Sequence, residues 1–167
     1  MADLTDTTYQ GAGIHGYLAQ FLVGDGASPE GFEAVADVIA ITPPSTDTAV
    51  IDITHLRSPG AHREVIAGLR SSNPFTVRCN YRPSHESHAY AGGGSGSFAG
   101  GGIPYLAQQR AIKNFKVVIY EAGSPAGEEL PVTGFISNLT FGEIGPDNKI
   151  EMTFAVQPST DFTSTLP

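Results

Sequence analysis

Apolar and polar positions alternate most clearly at two places in the chain. Phe75, Val77, Cys79 and Tyr81 share one parity, against Thr76, Arg78, Asn80 and Arg82. Later, Ile150, Met152, Phe154 and Val156 alternate with Lys149, Glu151, Thr153 and Ala155. Successive side chains of a strand point to opposite faces, so both segments read as strands with one buried face. Further apolar runs at 17–23, 32–41, 49–54, 63–69, 114–121 and 130–141 read as strands bounded by turn residues. The run at 32–41 contains helix-forming alanines, but its length and the stop at Pro43-Pro44 favour a strand. A helix is predicted over 104–112: Pro104 suits a first helical position, and Leu106, Ala107, Gln108, Gln109 and Arg110 are good helix formers.

Turn-forming residues separate these runs, with 20 Gly and 12 Pro in 167 residues. The result is a mainly β chain whose natural packing is a sandwich or barrel. Residues 1–16 are polar and aperiodic and read as an N-terminal arm. Residues 17–157 read as a single β-sandwich domain, and 158–167 as a C-terminal arm. Within the domain, 84–102 forms a Gly-rich loop insertion, expected to be flexible or irregular because glycine runs lose much entropy on ordering.

Charge and cysteine content narrow the function. A net charge of -8 repels a phosphate backbone, so specific nucleic-acid binding is not expected. The single cysteine, Cys79, sits in an alternating strand and reads as a small buried apolar residue. The start, Met1 to Asp6, shows no basic stretch or apolar core of a signal peptide, and no apolar run has membrane-span length. The expectation is a protein made in the cytoplasm and not placed in a membrane.

Motifs for chemistry are weak. His85-Glu86-Ser87-His88 has i,i+3 spacing, whereas a zinc-protease helix needs its two histidines at i and i+4; a solvated loop is the better reading. The glycines between 92 and 102 lack the Gly-Lys-Ser/Thr of a phosphate loop and a preceding strand suited to dinucleotides, and no Gly-x-Ser-x-Gly elbow occurs. Asp52, Glu64, His55, His62, Arg57 and Arg63 surround one loop, which suits a polar interface better than catalysis. No catalytic, cofactor-binding or metal-ligating residue is assigned.

The run from Ile53 to Arg70, with its core Ser58-Pro59-Gly60-Ala61-His62-Arg63-Glu64-Val65-Ile66-Ala67-Gly68-Leu69, resembles a signature of the tail tube proteins of long-tailed bacteriophages. Phe75–Pro83 resembles that family's strand ending in Asn-Tyr-x-Pro, and 115–159 resembles its closing strands. The resemblance covers roughly 32–83 and 114–159, and the Gly-rich segment departs from it. It implies a β-sandwich with a flanking helix, six copies per ring, and rings stacked into a virion tube. Viral DNA would pass through the lumen without specific binding, and a tape measure and a terminator protein would be partners. In that frame His55, Arg57, Ser58, Pro59, Gly60, Arg63 and Glu64 are the expected subunit or ring interface, with the loop Thr42–Asp47. Asp52, Glu143 and Glu151 are candidates for an acidic lumen. Three alternatives stand beside this. They are a tube, adaptor or terminator subunit of another injection machine, a soluble β-sandwich module binding carbohydrate or peptide, and an enzyme.

Overall fold

Strands with an apolar parity need something to cover it, and here a single sheet supplies its own cover. The computed structural model describes residues 19–55, 60, 62–92, 94–119 and 127–159. In chain order its elements are β1 (Gln20–Gly24), β2 (Phe32–Ala34), β3 (Val38–Thr42), β4 (Thr46–Asp52) and β5 (Val65–Ser72). Then come β6 (Phe75–Asn80), α1 (Ile103–Gln109), β7 (Lys113–Ile119), β8 (Glu128–Phe141) and β9 (Glu151–Pro158). Seven strands form one antiparallel sheet in the order β2-β1-β7-β8-β9-β6-β3, while β4 and β5 pair only with each other.

β2 and β3 lie at opposite ends of the strand order, yet three residues, 35–37, join them. So short a link is possible only if the sheet rolls until its two edges meet. Asp37, at φ +54, makes the turn, and Val35 is buried at the seam with its N–H donating to the Phe21 carbonyl (2.8 Å). Phe21 of β1 also meets Phe75 of β6 and Phe154 of β9, each at 5.5 Å between ring centroids, although three strands separate β1 from β6 in the order. The architecture is therefore the expected mainly β, barrel-like sandwich, with α1 packed against β8.

The alternating segments behave as their patterns dictate. Phe75, Val77 and Cys79 are buried while Arg78 is exposed, and β9 buries Met152, Phe154 and Val156 opposite them. Burial pushes the Cys79 thiol up to about 12, as befits an inert apolar residue.

Four expectations need correction. The run 32–41 is two strands, not one, because the edge closure needs a turn at Asp37. The helix occupies 103–109, not 104–112: Arg110 adopts the left-handed conformation (φ +52) and Lys113 already belongs to β7. The C-terminal arm does not begin at 158, because β9 continues to Pro158, and Ser159 donates from its N–H (2.8 Å) and Oγ (3.0 Å) to the Thr133 carbonyl. The remainder of both arms, 1–16 and 160–167, lies outside the described residues.

The fourth correction is the Gly-rich insertion. The described residues 84–92 and 94–102 are irregular, one of the two expected outcomes, but they are pinned to the body rather than solvated and flexible, around two short 3-10 turns, Glu86–His88 and Gly96–Phe98. Phe98 is 1% exposed and belongs to the core, and Ser87 and His88 are fully buried. Ser97 donates from Oγ to the Val23 carbonyl (2.6 Å) and from N–H to Glu33 (3.0 Å); the Ser95 N–H donates to Glu86 (3.2 Å). Glycine is required at Gly102 by close approach, since a Cβ there would sit 2.2 Å from the Ser87 carbonyl oxygen. One buried aromatic and its hydrogen bonds offset the ordering cost that glycine content alone suggests.

His88 accepts the Arg82 N–H at Nδ1 (3.0 Å) and stacks on Tyr81. Burial, with His85 and Arg82 adding, holds its imidazole below the ordinary value of 6.5, while Asp37 and the Ala36 carbonyl pull upward.

Two measurements follow from this segment. Phe98→Ala should cost about 3–5 kcal/mol in urea unfolding, whereas a loose loop would leave the midpoint unmoved. Because His88 binds a proton less readily folded than unfolded, its contribution is present above pH 6.5 and lost as pH falls below that value. Stability should therefore decline as pH falls through 6.5, and His88→Asn should flatten that decline; equal slopes in both proteins would contradict it.

Candidate assembly surface

β4 and β5 form a hairpin that the body does not cover. Its root is fixed: the Gln157 side-chain amide donates to the Ser72 carbonyl (3.0 Å), and the Asn73 amide nitrogen donates to Ser45 Oγ (2.9 Å) and to the Asp47 carboxylate. Beyond the root, nearly every residue of both strands is exposed. Val50 and Ile51 are neighbours and so point to opposite faces, yet they are 70% and 48% exposed. Both faces are thus free of the body.

The two faces are also apolar. Val50 pairs with Ala67, and Val65 shares that face; Ile51 pairs with Ile66, with Ile53 next along, and Leu69 stands at the register shift between Ala67 and Arg70. Leu69 is 88% exposed. An isolated two-stranded hairpin is marginal in water, and contiguous apolar surface of this kind marks an interaction site.

The tip is organised by polar contacts. The Asp52 carboxylate accepts from the Thr54 N–H (2.8 Å) and from Arg63 Nε (3.1 Å) and Nη2 (2.6 Å). Bonds from Thr54, then from Arg63, hold Asp52 below the usual carboxylate range. Thr54 Oγ1 accepts the Glu64 N–H (2.9 Å), the Ile53 N–H donates to the Glu64 carbonyl (2.9 Å), and His55 lies 3.9 Å from the Glu64 carboxylate.

Of the expected interface residues, His55, Arg63 and Glu64 therefore meet at one tip, together with Asp52. Gly60 is placed there by chain order and has φ +66; Arg57, Ser58 and Pro59 lie outside the described residues. Of the three lumen candidates, Glu143 and Glu151 lie at one end of the sheet, where the Gly142 N–H donates to the Glu151 carbonyl (2.7 Å), and Asp52 lies on the hairpin. Asp52 is engaged by Arg63, Glu151 lies between Lys149 (3.0 Å) and Arg78 (3.7 Å) at the start of β9, and Glu143 stands exposed in the loop after β8. Among the described residues no group of three or more His, Cys, Asp and Glu could hold a metal ion.

Charged residues drew the sequence reading to the tip, and the apolar strands carrying it were missed as a surface. The signal was present: 49–51 and 65–67 are apolar at consecutive positions, a pattern of strands covered on both faces. In a hairpin that the body leaves bare, the cover must come from elsewhere.

No family model and no curated protein matches the chain. Solved structures do. A chain in the tail of an empty gene transfer agent particle with C6 symmetry matches over 87% of this chain and 96% of its own, at 17% identity and TM-score 0.57. A chain of the anti-feeding prophage baseplate, 6-fold symmetrised, matches over 93% and 95%, at 9% identity and TM-score 0.66. The SPP1 tail tube matches over 93% and 81%, at 13% identity and TM-score 0.57. The chain has the fold of tail tube proteins.

The geometry of the tip can be checked directly. Arg63→Ala should speed amide exchange at Thr54 and Glu64 without shifting the urea midpoint of the body, because an exposed ion pair contributes little to folding. A shifted midpoint would mean that the hairpin is part of the cooperative core.

Proposed function

We propose that the chain is a structural subunit of a tail tube, in which six copies close into a ring and rings stack into a conduit for a genome. The observation that carries this reading is the β4–β5 hairpin. It is a hairpin apolar on both faces, standing clear of a body with a complete core, on the fold that tail particles and tubes share. A subunit that folds alone yet leaves such an element bare is built to be completed by copies of itself. Six-fold symmetry in the particles of two structural neighbours supports six copies per ring.

An acidic chain suits a conduit, since like charge keeps DNA from adhering to the wall. Tape measure and terminator proteins would be the partners inside and at the end of such a tube, and the virion its location. His55, Arg57, Ser58, Pro59, Gly60, Arg63 and Glu64 then serve between subunits, as charges that set register rather than affinity. The baseplate neighbour favours a second reading on the same fold, a tube-like component of a contractile injection machine. Both readings share the assembly step and differ in the particle seen by electron microscopy.

Purified protein at high concentration should form rings or tubes by negative-stain microscopy and sediment accordingly. Val50→Asp should abolish tubes while leaving the circular dichroism spectrum and urea midpoint intact. A wild-type chain that remains a monomer throughout would overturn the reading.

A further inference from the structure

The end of the sheet opposite the hairpin carries a second uncovered apolar surface. β6 starts at Phe75, next to the hairpin root, and runs to Asn80 at the far end, a span of roughly 20 Å. There the Tyr81 N–H donates to the Ile150 carbonyl (2.8 Å), and Tyr81 meets Phe141 edge-on at 5.0 Å. Tyr90 stacks on the same Phe141 ring at 6.2 Å. Buried His88 backs Tyr81, while Tyr90 (47%), Phe141 (36%) and Ile144 (75%) face solvent. The aromatics are thus fixed from below and open above.

Charge indicates what covers them. Glu143 and Asp147 flank Ile144 in a loop, 142–148, that contains no Lys or Arg, while Lys149 after the loop and Arg82 after Tyr81 are each paired with a carboxylate, Glu151 (3.0 Å) and Asp37 (3.3 Å). Residues 46–72, by contrast, hold three of the nine Lys and Arg against three of the 17 Asp and Glu, with two of the five His. That unit is neutral, and the whole charge of -8 resides in the rest of the chain. Two acidic bodies repel one another, so the neutral hairpin with His55, His62 and Arg63 toward its tip is the part of a second copy that an acidic apolar end accepts best. The hairpin cannot reach this surface in its own chain, since it is rooted at the other end of β6.

We propose that Tyr81, Tyr90, Phe141 and Ile144 form the receiving surface for the β4–β5 hairpin of a second copy in the next ring. This rests on the tube reading above and adds to it a defined pair of surfaces. Because they differ and lie at opposite ends, the contact is heterologous, and it repeats without closing. Stacking therefore has one direction, and every ring presents hairpins at one end and aromatic sockets at the other.

Cross-linking of mixed copies tests it. Chains carrying only Ile53→Cys are mixed with chains carrying only Ile144→Cys, assembled, and treated with a flexible bismaleimide; the native Cys79 is buried and stays unlabelled. A cross-linked dimer joining position 53 to position 144 is expected only in the mixture. Ile144→Asp should leave single rings while abolishing tubes. If Ile144→Asp stacks like wild type and no 53-to-144 product forms in normal tubes, the socket is overturned and the tube reading stands. If the wild-type chain forms no rings at all, the tube reading fails, and the socket with it.

Discussion

Everything in this body depends on closing one sheet onto itself through a three-residue turn. Because β2 and β3 are consecutive in the chain but sit at opposite edges, the link at 35–37 obliges the sheet to roll. Rolling brings Phe21 against Phe75 and Phe154 across the interior, and Phe115 stacks on Phe21 at 5.7 Å from the neighbouring strand. The apolar parities of β1, β6, β7 and β9 are then all satisfied at once. No second sheet is needed, and so β4 and β5 are released from any duty to the core.

That release separates folding from assembly. The body buries Phe21, Phe75, Phe98, Phe115 and Phe154 together with its thiol, and its core is complete without the hairpin. The hairpin contributes almost nothing to it, and its apolar positions are exposed at levels that a monomer has no reason to keep. Contact with a partner would bury that exposed surface. In the proposed tube, this division would let subunits accumulate folded while contact between them sets when they polymerise.

Much of this was legible in the sequence, and the misses share a cause. Period-2 alternation at 75–80 and 151–157 located the buried faces residue by residue, because those faces answer to the chain's own core. The split of 32–41 was invisible: nothing in Phe32 to Ile41 reports that its halves pair with strands far apart in sequence. The Gly-rich segment misled for the same reason. Its composition describes the cost of ordering, whereas Phe98, Ser97 and His88 supply long-range contacts that composition does not display. At the surface, charges at His55, Arg63 and Glu64 were easy to see, but the apolar residues beneath them read as ordinary core.

The same logic ties the hairpin's charge to its chemistry. An acidic body of this size disfavours its own association, which protects the free chain from aggregation through Val50, Ile51 and Leu69. Asp52 does not add to that repulsion, since Arg63 neutralises it within the tip. In the proposed assembly, the element that approaches another copy is thus the one whose charges are already balanced, while body-to-body contact remains disfavoured. Salt screens that repulsion and leaves apolar burial intact, so added salt favours hairpin-mediated contact over separation. In that assembly, acidic charge would select which surfaces of identical subunits come together.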